Sequence, residues 1–140
     1  MGRNLLGQCA QHHESAAGPA KQRGCDGVAP DNVEAHNSNA GFTGELTART
    51  QLNTNRFLAT ETRARGLKIG LKNDIGQPKA LAPSVDFAGN EQCRQYIEWR
   101  GYSVFTSHGK RVFSAEYKQT WRDDAQARAK VCAKARAIDR

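Results

Sequence analysis

Four short segments of small or apolar residues each break off in a polar pair: Asp31-Asn32, Asn73-Asp74, Asn90-Glu91 and Glu116-Tyr117. Stretches with helical spacing lie between them. The chain therefore reads as strand then helix, four times over. That alternation leaves little choice of fold class, because consecutive strands joined through helices build an α/β protein on a parallel sheet.

The elements read as follows. Cys25 to Asp31 is a strand without bulky residues. Glu45 to Arg65 is a long helix, in which Ala48, Leu52, Asn55, Ala59 and Thr62 recur at helical spacing and Gly66 supplies the stop. Leu67 to Asn73 alternates as the second strand, and Gln77 to Ser84 is a short helical piece punctuated by proline. Val85 to Asn90 is the third strand and Gln92 to Arg100 the next helix. Arg111 to Tyr117 is the fourth strand. Trp121, Ala125, Ala129, Cys132, Ala135 and Ile138 then predict one amphipathic helix at the tail. Residues 1–23 are polar and weakly patterned around the breaker pair Gly18-Pro19, with a short helix as the alternative to no element.

The second strand says which α/β architecture to expect. Leu67, Ile69 and Leu71 form one apolar face, while Lys68, Gly70 and Lys72 form the other. A doubly wound sheet packs helices on both faces and reads as continuously apolar. One apolar face opposite a small or polar one suits the wall of a barrel. The expectation is a partial (β/α)8 TIM barrel of about four βα units. Function in a barrel sits on the loops at the carboxyl ends of the strands, where the four polar pairs fall.

Charge and cysteine narrow the function. The net charge is +7, but residues 1–66 hold 7 basic and 6 acidic side chains against 14 and 8 in residues 67–140. The excess is dispersed, with no basic block and no interleaving of arginine and aromatic residues, so a nucleic-acid partner is not expected. Cys9, Cys25, Cys93 and Cys132 form no Cys-x-x-Cys, and His12-His13, His36 and His108 make no ligand set, so neither metal nor cofactor is expected. No apolar run approaches a membrane span. Met1 to Gln11 lacks the apolar region of a signal peptide, and Leu6 stands where myristoylation wants Ser or Thr, so localisation stays open.

The candidate chemistry is carboxylate chemistry. Asp31 and Glu91 stand at equivalent ends of a βα repeat, and two such carboxylates are the equipment of glycoside hydrolysis. Taken singly, Asp31 also reads as an Asx turn or cap, and Glu91 as a first-turn acid complementing a helix dipole. Glu116 is a third strand-end carboxylate. Lys72 is a cation that either depresses a neighbouring carboxylate's pKa and binds substrate oxygen or reaches out to solvent.

The stretches Ala20–Glu34, Leu67–Asp74, Val85–Cys93, Lys110–Tyr117 and Val131–Ile138 resemble, in this order, the endo-α-1,4-polygalactosaminidase family, glycoside hydrolase family 114. The resemblance implies a (β/α)8 barrel, usually exported, that cleaves polymers of α-1,4-linked galactosamine or N-acetylgalactosamine. It implies a domain running from 20 to 140, which leaves the segment 1–19 undefined. It implies Asp31 and Glu91 as the catalytic pair, with Asp31 as nucleophile or charge stabiliser and Glu91 as acid/base. It implies a cleft lined by Asp26, Asn32, Lys72, Asn73, Asp74, Asn90, Glu116 and Tyr117. The chain departs from the family in places. A barrel of this kind needs eight strands and about 250 residues. Four strands are present here, matching the fourth to seventh. Trp99 stands where a partner for Cys93 is expected, and His36-Asn37-Ser38-Asn39 lacks the usual aromatic residue. The expectation is a truncated hydrolase, weak or inactive alone, whose barrel edges favour self-association. The alternative is a non-catalytic carbohydrate-binding or interaction module. A deacetylated galactosamine polymer is itself cationic, so a +7 chain gains no long-range attraction to it.

Overall fold

The computed structural model describes residues 17–37 and 46–137. The assignments made above for Cys9, His12-His13, residues 38–45 and Ile138 lie outside the described residues.

The sheet has four parallel strands in the order β1-β2-β3-β4, namely Gly27–Val28, Lys68–Lys72, Phe87–Glu91 and Val112–Ala115. Each strand leads through helical structure to the next, which is the predicted alternation. Between β1 and β2 runs α1 (Ala48–Ala64), started by a capping box in which the Thr47 hydroxyl accepts from the Thr50 N–H at 3.1 Å. Between β2 and β3 runs α2 (Pro78–Leu81), with proline in its first turn, where no N–H is needed. Before β4 come a 3-10 turn at Trp99–Tyr102 and α3 (Ser103–Thr106). After β4 come α4 (Gln119–Asp123) and α5 (Ala125–Arg136). No helix among the described residues is long and apolar enough to cross a membrane.

The core lies on one side of the sheet. Ile69, Leu71 and Ala88 point from the strands into a cluster with Leu58, Leu81 and Phe105 from the helical layer and Val85 from the link leading into β3. The opposite face is thinner. The Phe87 ring lies directly over Gly70, where a Cβ would come within 2.2 Å of it, so any larger residue there would have to displace the ring. Phe87 meets Phe113 edge to face at 5.8 Å, and Phe113 is half exposed. One apolar face and one small or polar face are what the second strand predicts.

Four stretches differ from the sequence reading, one being residues 17–22, which are helical across the Gly18-Pro19 pair read there as a breaker. The first strand shrinks to Gly27–Val28, because the Cys25 N–H turns back to the Ala20 carbonyl and Pro30 has no N–H to give to a ladder. The helix predicted over Gln92–Arg100 is a series of turns. Its first N–H groups are engaged by the fourth strand instead: Gln92 N–H donates to the Ala115 carbonyl at 2.7 Å and Arg94 N–H to Glu116 Oε1 at 2.8 Å. Gln92 and Ile97 also have positive φ, which no helix continues through. The single tail helix is two. Asp124 is extended and caps α5, its Oδ1 accepting from the Gln126 and Ala127 N–H groups at 2.8 and 3.1 Å.

Candidate active site

Strand parity decides which strand-end residues meet. Side chains alternate between faces along a strand, so Gly70 and Lys72 share one face of β2, and Phe87, Gly89 and Glu91 one face of β3. Past the end of β4 the same parity brings Tyr117 to this face. The Lys72 ammonium sits between two carboxylates, 2.9 Å from Glu91 Oε2 and 3.2 Å from Asp31 Oδ2. Tyr117 donates its hydroxyl proton to Glu91 Oε1 at 2.6 Å. Asn73 completes the group. Its Nδ2 reaches Glu91 Oε2 at 3.4 Å, and its Oδ1 accepts the Glu91 backbone N–H at 2.9 Å.

These contacts set the charges. The Tyr117 hydrogen bond, then those from Lys72 and Asn73, lower the pKa of Glu91 to about 2. Glu91 is therefore a carboxylate throughout the neutral range. The same bonds raise Tyr117 and Lys72, with the Glu91 hydrogen bond the largest cause for each. Lys72 is thus held as an ammonium. Asp31 has fewer partners and is the more open of the pair, 50% exposed against 35% for Glu91. Asn32 is exposed beside it.

The other residues implied for the cleft lie elsewhere. Asn90 is adjacent to Glu91 and so points to the opposite face, where it is 4% exposed near Cys93, Tyr102 and Val112. Glu116 is also turned to that side, accepting from Ser114 Oγ at 2.9 Å and from the Arg94 N–H. It anchors the loop after β3. Asp26 precedes β1 at the amino-terminal edge of the sheet, where its carbonyl accepts the Lys68 N–H. Asp74 is fully buried behind Asn73, and burial pushes its pKa up to about 6. Cys93 is a buried free thiol, 3.3 Å from Ser114 Oγ.

Two contributors escape the sequence reading. Tyr102 donates to the Asn73 carbonyl at 3.0 Å and steadies that loop. Asn55 on α1 donates to the Val33 carbonyl at 3.1 Å and to Asp74 Oδ2 at 3.2 Å. Its signal was present: an asparagine stands on the otherwise periodic face of the long helix. Among the described residues no group of three or more His, Cys, Asp or Glu side chains is placed to hold a metal ion.

The site is an acidic pair bridged by a cation, on the carboxyl rim of a parallel sheet. The chain matches the model of glycoside-hydrolase family GH114 over residues 12–139. It also matches the crystal structure of Aspergillus fumigatus Ega3 in complex with galactosamine, with a TM-score of 0.73 and 35% identity. The match covers 83% of this chain and 44% of that chain, so this chain spans less than half the length of that relative. The four βα units correspond to a partial TIM barrel there. No curated protein matches the chain.

Proposed function

The chain belongs to glycoside-hydrolase family GH114, and from that premise we propose that it carries the acidic pair of a hydrolase acting on galactosamine-containing polysaccharide. One observation carries the reading: a single ammonium, Lys72, bridges Asp31 and Glu91 at the rim where barrel chemistry is done. The relative's bound galactosamine supports the substrate class.

The electrostatics favour a division of roles. Glu91, held ionised by Tyr117, Lys72 and Asn73, stabilises the developing oxocarbenium charge and attacks the anomeric carbon. Asp31, the more open carboxyl, takes up a proton from solvent and delivers it to the leaving oxygen. This exchanges the roles implied by the family resemblance, because a glutamate gripped by three donors is a poor resting proton source. The exposed Tyr117 ring offers the apolar face of a pyranose a surface to lie on. Asn32, Lys72 and Asn73 complete this reading of the cleft, while Asp26, Asp74, Asn90 and Glu116 act as framework.

The second reading, a binding module without turnover, is favoured by the exposure of Asp31 and of Phe113 on the open face. Among the described residues β1 and β4 each pair with one neighbouring strand, and a second copy bound at these edges would cover Phe113. Incubation with partly deacetylated α-1,4-galactosaminoglycan, read by mass spectrometry of released oligomers, decides between the readings. Release that is abolished by Asp31→Asn and by Glu91→Gln supports the hydrolase. Retained binding with no release from the parent chain supports the module. Sedimentation at several concentrations tests the self-association.

A further inference from the structure

Asn55 is a polar residue on the buried stripe of α1, 3% exposed, one turn from Ala59. A buried amide is tolerated only when its hydrogen bonds are made. Here they are made, and in an informative direction. The Asn55 side-chain nitrogen donates both to the Val33 carbonyl and to Asp74 Oδ2. Its oxygen accepts from Gln51 Nε2 at 3.2 Å, and Gln51 Oε1 accepts the Ala35 N–H at 3.1 Å, which fixes the amide's orientation. Val33 lies two residues after Asp31. Asp74 lies one residue after Asn73, which grips Glu91 by both backbone and side chain. A further bond, Asp74 N–H to Glu34 Oε2 at 3.0 Å, ties the same two loops together.

We propose that Asn55 is a positioning residue: one nitrogen on α1 joins the loop bearing Asp31 to the loop aligning Glu91, and so sets the separation of the two carboxylates. The proposal rests on the reading of Asp31 and Glu91 as the working pair. Asn55 touches neither carboxylate and acts through Val33, Asp74 and Asn73. Its leverage comes from the steepness of catalysis with geometry, where a misplacement of about 1 Å costs on the order of a hundredfold.

The test uses Asn55→Asp, which keeps size and shape but replaces the donor with an acceptor facing Asp74. It also uses the exchange Asn55→Asp with Asp74→Asn, which restores a donor to that pair. Two quantities are read on the full chain: kcat and KM on soluble α-1,4-galactosamine oligomers, and the Glu91 carboxyl titration by carbon NMR. Asn55→Asp is expected to lower kcat by about tenfold or more with KM within about twofold, and to move the Glu91 titration upward. The exchange is expected to recover part of both. A purely structural asparagine would lower the melting temperature and leave the Glu91 titration and kcat in place; that result overturns the proposal. If the parent chain releases no product, the hydrolase reading falls, while the Glu91 titration still decides the positioning role. If Asn55→Asp does not fold, Gln51→Met leaves Asn55 in place and removes the donor that orients it, together with the acceptor of the Ala35 N–H. A smaller upward shift of Glu91 is then expected, and no shift overturns the proposal.

Discussion

The Tyr117 hydroxyl donates a 2.6 Å hydrogen bond to Glu91 Oε1, across the gap between the third and fourth strand ends. Lys72 and Asn73 hold the other oxygen, so both carboxylate oxygens of Glu91 are engaged. The bond is the largest cause of the depressed Glu91 pKa. Tyr117→Phe is therefore expected to move the Glu91 titration upward from about 2, as followed by carbon NMR on labelled glutamate. Tyr117 is exposed, so the melting temperature should hardly change, consistent with the usual ±0.5 kcal/mol or so of a surface substitution. A Glu91 titration that stays in place would show that Lys72 and Asn73 suffice.

The division of roles has its own signature. A proton donor matters most when the leaving group is a poor one, and general acid catalysis contributes roughly 10²–10⁴-fold. Asp31→Asn is expected to lose activity in that range on the natural glycosidic bond but to retain much of it on an activated aryl galactosaminide. Glu91→Gln should be inactive on both. The opposite pattern, with Glu91→Gln rescued by the aryl leaving group, would return the roles to those implied by the resemblance.

What the sequence makes legible follows from local rules. Alternation and strand-end polarity identify the sheet, its rim and the trio Asp31, Lys72 and Glu91. Parity separates Asn90 from Glu91 and Glu116 from Tyr117, since neighbours on a strand point to opposite faces. The pairs that look like joint cleft residues in the sequence therefore divide, one to the rim and one to the packing side. The turns at 92–98 are not legible locally. The N–H groups of Gln92 and Arg94 are taken by residues more than twenty positions away, and this tertiary pull overrides a helical pattern. The break at Asp124 is legible in principle, because an aspartate followed by a helical run is a cap signal. The Asn55 contacts depend on how two loops fold over α1, which no periodicity encodes.

The separation of the carboxylates predicts stereochemistry. Asp31 Oδ2 and Glu91 Oε2 share one ammonium at 3.2 and 2.9 Å, so they are no farther apart than those two distances laid end to end. That limit applies to the nearest oxygens. Two carboxylates joined directly through one shared ammonium fit the roughly 5–5.5 Å group separation of retaining glycosidases better than the roughly 6.5–9.5 Å that leaves inverting ones room for a water. The first product released is expected to keep the α configuration, as read by proton NMR before mutarotation. A β product formed first would mean that the carboxylates move apart to admit water.

Asp74 predicts how stability changes with pH. Its carboxyl is fully buried, and burial, with the Glu34 charge adding to it, raises its pKa from 3.8 to about 6 against the opposing effects of His36 and Asn55. Between these two values the folded state binds the proton that the unfolded state has released. The stabilisation is therefore complete below about pH 3.8 and is lost as pH rises through about 6. Glu91 and Asp86 contribute with the opposite sign, because their folded pKa values are lowered. For Asp86 the Arg63 pair and the Ile69 N–H outweigh the effect of burial. Their contribution is present above the ordinary carboxylate pKa values and is lost as pH falls from those values through the lowered folded ones, so above pH 4.5 the titration of Asp74 dominates. The melting temperature of the parent chain should therefore fall between pH 4.5 and pH 7. Asp74→Asn, which keeps an oxygen for Asn55 and carries no charge, should flatten that fall and raise stability at pH 7. A variant whose slope matches the parent's would assign the pH dependence to another group.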